Sequence, residues 1–223
     1  MTTALKVSRL TKSFKKETVF ENVNLELPSG SIYGFVGHNG SGKSVFFKVL
    51  CGILLPNKGT VSIFGQVLGK DIDFPDKVGA VIETPGFLPE YSGFKNLKYL
   101  ASIRKLIGDD EVKTAMARVG LDPNSRKSVK KYSLGMKQRL ALAQAIMERP
   151  QMLILDEPMN GLDKTGVKQI RELLLTLKAQ GTTILLSSHM SADIHLLCDH
   201  VYEFDNKTLV EVTKEELVDE ITS

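Results

Sequence analysis

Cysteine is scarce in this chain, and no long apolar run interrupts it. Only Cys51 and Cys198 occur among 223 residues. Each lies among apolar neighbours, so both read as buried thiols. That usage excludes a disulfide-stapled secreted scaffold and points to the cytosol. No segment approaches the roughly 18 consecutive apolar residues of a membrane span. The opening "MTTALKVSRL" lacks the apolar core of a signal peptide. If a membrane matters to this chain, another chain is expected to supply the span. An excess of one charge is missing too: 29 basic residues against 26 acidic ones give +3. That balance is too small to argue for nucleic acid by composition. Low-complexity tracts and fixed-period repeats are also absent.

What is present suits one soluble globular domain over 1–223, with 42% hydrophobic and 25% charged residues. "LKVSRL" and "TVFENVNLELP" carry β-formers with partial alternation, and a charged "KSFKKE" turn joins them. "SIYGFVG" reads as a strand that runs into glycines. "KSVFFKVLCGIL" has helical apolar spacing at Val45, Phe46, Val49 and Leu50. "TVSIFG" and "VGAVIE" read as short strands. From about residue 85 to residue 149 the pattern turns helical, in "FKNLKYLASIRKLI", "DEVKTAMARVG" and "LGMKQRLALAQAIMER". Strand and helix then alternate again. "MLILDEP" and "TTILLSS" are buried strands; Val167, Ile170, Leu174 and Leu177 mark a helix, and a short helix is expected near Ala192. "HVYEFD" and "TLVEVT" make a closing hairpin, and "KEELVDEI" a terminal helix. The expected class is α/β, with a helical insert and a small antiparallel part.

Between two apolar runs stands "FVGHNGSGKSVFF". Gly37, Gly42, Lys43 and Ser44 fit G-x-x-x-x-G-K-[ST], with a strand before and a helix after. Glycines let backbone N–H groups turn inward against phosphate oxygens. The following helix points its positive end at the same anion. Lys43 is expected to reach the β- and γ-phosphates, and the Ser44 hydroxyl to ligate Mg²⁺. The nucleotide-contacting run is Gly37, His38, Asn39, Gly40, Ser41, Gly42, Lys43, Ser44 and Val45. A guanine-reading N-K-x-D segment has no support, because "NKGT" and "NKTL" both lack the aspartate. Phe14, expected in the loop between the first two strands, either stacks on a base or fills the core.

"MLILDEP" ends a very apolar strand with Asp156 and Glu157. Open α/β sheets bind ligands at the carboxyl ends of their strands. Two acids there are costly unless a cation offsets them. Asp156 suits the Mg²⁺ shell, and Glu157 suits a general base that polarises the attacking water.

With "YSLGMKQR" (132–139), "LILDEP" (153–158), "NGLD" (160–163) and "SSH" (187–189) following the phosphate loop in order and spacing, the chain resembles ABC-type ATPases from about Leu5 to Val212. The resemblance implies a P-loop NTPase fold with a mainly parallel core sheet and an antiparallel β part, spanning 1–84 and 150–223. A helical subdomain of about 85–149 would be inserted. It implies ATP and Mg²⁺, and two cassettes paired head to tail, identical or not, with ATP between the phosphate loop of one and the signature of the other. Carried over, Ser133, Leu134 and Gly135 contact the γ-phosphate across the pair; Ser133 is also a good helix N-cap. Asp163 falls in the loop linking the two sites. His189 contacts the γ-phosphate and positions Glu157 and water. His195 and His200 match nothing and read as surface or hairpin histidines.

The sequence departs from the family at several positions. Glu83 stands where glutamine is usual, at the junction with the helical lobe, and would ligate Mg²⁺ there. Leu134 and Met136 replace a common glycine and glutamine, Val45 replaces a frequent threonine, and Met159 another. The basic run "RKSVKK" (126–131) is a solvated loop or an attractor of phosphate at the seam. The resemblance implies an energy-coupling ATPase at the inner face of a membrane, tied to a separate membrane subunit. It is most like bacterial exporters of peptide-antibiotic resistance. The alternative is a soluble ABC-type ATPase acting on nucleic acid or ribosomes. No heptads suggest the coiled coil of chromosome-maintenance relatives.

Overall fold

A computed structural model describes residues 2–15, 17–83 and 86–216. The last part of the expected terminal helix lies outside the described residues. Two sheets organise the chain. Strands β1 (Thr3–Phe14), β2 (Glu17–Pro28), β4 (Lys58–Ile63) and β5 (Gln66–Val67) form an antiparallel sheet in the order β2-β1-β4-β5. Strands β3 (Ile32–Val36), β6 (Val78–Val81), β7 (Met152–Leu155), β8 (Thr183–Ser187), β9 (His200–Asp205) and β10 (Thr208–Val212) form the second, in the order β10-β9-β3-β8-β7-β6. Its pairs are parallel except the β9–β10 hairpin.

The parallel strands are apolar on both faces because both faces are covered. Successive side chains alternate between two cores. Met152 and Ile154 join the core toward the antiparallel sheet, whereas Leu153 and Leu155 join the other. Helix α1 (Lys43–Leu50) fills the first core with Phe46, Phe47, Val49 and Leu50. The second core takes α4 (Leu134–Ile146), α5 (Lys164–Ala179) and α6 (Ser191–Leu197), and also α2 (Gly93–Arg104) and α3 (Asp109–Arg118). Helices α2, α3 and α4 lie between β6 and β7 in the chain.

Two details differ from the sequence expectation. The turn after β1 is shorter than "KSFKKE", because β1 runs on through Phe14 and pairs it with Glu17. β5 has only two residues, too few to leave an alternation in sequence.

Register places the functional edge. Val81 pairs with Leu155, Leu155 with Leu186, and Phe35 with Ser187. The chain therefore leaves four neighbouring parallel strands at one edge, at residues 37, 82, 156 and 188. That is the ligand-binding edge of an open α/β sheet.

Candidate active site

The phosphate loop is built on an aromatic floor. Phe20, Phe35, Phe46 and Phe204 pack with ring centroids 5.4–6.2 Å apart. This cluster fixes the start of α1 and hence the loop before it. Gly37 and Gly42 have φ of 134° and 112°, a region that favours glycine. A Cβ on Gly37 would stand 3.0 Å from the Phe204 carbonyl oxygen, and one on Gly42 2.8 Å from Val19 Cγ1. A side chain at either position would lift the loop off its floor. Lys43 is buried, with 7% of its surface exposed. Its Nζ donates to the carbonyl oxygens of Gly37 (2.7 Å) and His38 (3.1 Å) and lies 3.5 Å from Ser41 Oγ. Burial depresses the ammonium's pKa, and the nearby carboxylates of Glu157 and Asp156 oppose that. His38, Asn39 and Gly40 are exposed at the loop tip, and Ser44 and Val45 are half-buried.

At the end of β7 a single hydroxyl orders both acids. Ser187 Oγ donates to Asp156 Oδ1 (2.6 Å) and accepts from the Glu157 N–H (3.0 Å). Glu157 has φ 49°, a strained conformation for a residue with a Cβ. Three contacts beside Ser187 hold it there. Gln138 Nε2 donates to the carbonyl oxygens of Glu157 (3.3 Å) and Pro158 (3.2 Å). The His189 N–H donates to Glu157 Oε2 (3.3 Å). His189 Nε2 stands 3.3 Å from Glu157 Oε1, an oxygen that is buried and accepts no hydrogen bond. Burial raises the Glu157 pKa above the usual carboxylate value, the Asp156 charge adds to that, and His189 and Lys43 oppose it. A buried carboxylate with a raised pKa is a better proton acceptor near neutrality.

The signature segment forms a separate surface. Ser133 caps α4, its Oγ accepting from the Met136 N–H (3.2 Å). Asp163 caps α5, its Oδ1 accepting from the Gly166 N–H (2.9 Å). The two caps meet through glycines: a Cβ on Gly135 would stand 2.7 Å from the Gly161 carbonyl oxygen. Leu134, 60% exposed, packs beside Gly161. Ser133, Gly135, Gly161 and Asp163 line one cavity of about 470 Å³.

Other expected site residues sit differently. Phe14 is not in a loop or in the core: it ends β1, is 44% exposed, and has Lys12 Nζ 4.7 Å above its ring. Glu83, with φ 61°, is exposed and ion-paired with Lys48 of α1 at 2.5 Å. Its carboxylate is engaged by an ammonium, which sets a competitor against any metal. In the basic run, Lys130 pairs with Glu90 (2.7 Å) and Val129 is buried. His200 stacks on Tyr33 at 5.4 Å, and His195 is exposed. Cys51 and Cys198 are buried, their thiols pushed up to about 12 by burial. Sequence reasoning gave no role to Ser187 or Gln138, although they lie inside "SSH" and "YSLGMKQR", and Arg171 lies in neither segment.

A glycine loop opening a helix, two acids at the end of β7, one strand removed from β3, and a capped signature helix define an ATPase of the ATP-binding-cassette class. The family model described as ABC transporter matches residues 20–160, and the chain belongs to that family. An uncharacterized ABC transporter ATP-binding protein of Bacillus subtilis, YybJ, is 44% identical over 92% of this chain and 94% of its own. The bacitracin transport ATP-binding protein BcrA of Enterococcus faecalis is 42% identical over 93% of this chain and 68% of its own. A solved ATP-binding subunit of an ABC transporter superposes with a TM-score of 0.85 at 26% identity, covering 98% of this chain and 93% of that one. A dimeric cassette in a post-hydrolysis state bound to ADP and Pi superposes with a TM-score of 0.84 at 22% identity, covering 94% and 98%; that likeness supports the fold. The chain is an ATP-binding subunit of an ABC transporter, and its activity is ATP hydrolysis. No helix among the described residues is long and apolar enough to cross a membrane.

Proposed function

We propose that two copies, or this chain and a second cassette, close head to tail on ATP and that hydrolysis reopens them. The membrane subunit they drive would be a separate chain, with the cassettes at the inner face of the membrane. The observation that carries this reading is the buried Glu157 Oε1, which accepts no hydrogen bond, at the same sheet edge as Lys43. Water placed against that oxygen would give up its proton to Glu157 while its oxygen attacks the γ-phosphorus and ADP leaves. His189 holds the carboxylate's orientation. Lys43 and the Gly37–Gly42 backbone bind the phosphates, and Ser133 and Gly135 of the partner cassette would complete the site. Phe14, exposed at a strand end, would offer its ring to the base. The helical subdomain, residues 85–149, would pass the motion to the membrane subunit.

Ser44, Asp156 and the triphosphate supply hard oxygen donors, the set Mg²⁺ prefers. The half-buried carboxylate pair at this edge fits a cation. Mg²⁺ bound there would neutralise charge on the phosphoryl oxygens. Glu83 would join only by leaving Lys48.

Relatives named for bacitracin and lantibiotic transport support an exporter of peptide antibiotics. The test is affinity purification of the tagged chain from detergent-solubilised membranes. Recovery of a polytopic membrane protein at fixed stoichiometry supports this reading. Recovery of the chain with ribosomes or nucleic acid supports the alternative.

A further inference from the structure

His189 is held from both sides by a buried charge network that the proposed chemistry does not use. Asp193 of α6 is fully buried. Its Oδ1 accepts from Arg171 Nε at 2.7 Å, with Arg171 Nη2 at 2.6 Å. Its Oδ2 accepts from Ser188 Oγ at 2.7 Å. The Ser188 oxygen in turn accepts from the Met190 N–H at 3.1 Å. The Asp193 N–H donates to the Met190 carbonyl oxygen at 2.9 Å. Ser188 is thus tied to the Asp193 carboxylate directly, Met190 is tied through the Ser188 hydroxyl and the Asp193 N–H, and the carboxylate is tied to α5. Arg171, Ser188 and Asp193 line the same cavity of about 620 Å³ as Glu157 and His189.

Stability is a poor explanation for this arrangement. A buried ion pair carries a desolvation penalty that often cancels its attraction, and apolar side chains of equal volume would pack as well. What such a network does supply is one fixed geometry. Arg171 approaches with two donors from a rigid fork. Both carboxylate oxygens are used, so Asp193 has one orientation. The peptide at 188–190 inherits it, and His189 then has one approach to Glu157.

We propose that Arg171, Asp193 and Ser188 are positioning residues that hold His189 against Glu157, and thereby set the rate of hydrolysis without touching nucleotide. The inference rests on Glu157 and His189 acting as proposed above. It extends the working site to α5 and α6, elements outside the recognised motifs.

The test is a mutant cycle in the full-length chain, read as kcat and KM for ATP. Asp193→Asn keeps shape but offers an N–H₂ where Arg171 or Ser188 donates. It should lower kcat about 10-fold, on the order of a displaced catalytic contact, with KM changed less than about two-fold. His189→Ala should lower kcat more. The double variant should be no slower than His189→Ala alone, because residues acting through one group are not additive. A merely structural role would instead add its loss to the double variant.

If Asp193→Asn does not fold, Ser188→Ala removes only the hydroxyl and should lower kcat about three-fold, again without effect in the His189→Ala background. Additive losses, or an unchanged kcat in folded variants, would overturn the relay. If His189→Ala itself hydrolyses ATP at the normal rate, the underlying reading of His189 fails, and the relay with it.

Discussion

The two ends of the chain's ATP chemistry are built in opposite ways. The phosphate-loop half is sunk into the fold: Lys43 is 7% exposed, Glu157 sits in a strained conformation, and an aromatic cluster lies beneath. The signature half is a surface: Leu134 is 60% exposed, the Asp163 side chain is 78% exposed, and helix caps alone define it. Burial strengthens electrostatics and tunes proton affinity, so the first half can hold charge and do chemistry. An exposed helix N-terminus offers N–H groups to an anion arriving from outside. One half is buried within its own chain; in the pairing proposed above, the other would meet a neighbour's ligand.

Substitutions can break that contrast, beginning at the buried half. Glu157→Gln should slow hydrolysis by about 10²–10⁴, the share of a general base, keep ATP affinity, and accumulate an ATP-bound pair by sedimentation. Normal turnover would remove Glu157 from the role. The same variant has a stability signature. The folded-state pKa of Glu157 is raised by burial, so the fold disfavours its ionised form. That cost is fully present above the folded pKa and fades as pH falls through it. Glu157→Gln should therefore melt higher than the parent at pH 8, with the gap closing in acid. Equal melting at all pH values would mean that the carboxylate is not desolvated.

Lys43→Ala should weaken ATP binding by about 100-fold, from lost charge-assisted hydrogen bonds worth roughly 1.5–3 kcal/mol each. Equilibrium binding checks this, and unchanged affinity refutes the loop assignment. Ser133→Ala probes the exposed half. It should leave ATP affinity of the dilute chain intact and weaken ATP-driven pairing about 10-fold; the lost cap costs about 1 kcal/mol of stability. A fall in affinity without any change in pairing would place Ser133 in its own chain's site. Glu83→Gln should have the smallest effect. The Lys48 pair is exposed, worth under about 1 kcal/mol, so melting should barely move. The Mg²⁺ concentration for half-maximal activity should change a few-fold, and an unchanged value together with unchanged turnover takes Glu83 away from the metal.

The same contrast explains what was legible in sequence. Local spacing exposed Gly37, Lys43, Asp156, Glu157 and the Ser133 cap, because each is fixed by its neighbours along the chain. The strand–helix alternation was visible for the same reason, apart from the two-residue β5 and the extension of β1 through Phe14. Side chains that meet across the fold left no such trace. Ser187 reaches Glu157 from 30 residues away, and Gln138 from 19. Lys48 and Glu83 are 35 apart, so the ion pair that occupies Glu83 is invisible until β6 is placed beside α1. The Arg171–Asp193 pair joins two helices and matches no motif.

Turnover per chain, measured across a dilution series beside sedimentation of the same samples, tests the paired site most directly. Two half-sites completed by pairing predict that turnover per chain rises with concentration and levels off as pairs form. Constant turnover per chain, down to dilutions at which only single copies sediment, would contradict it.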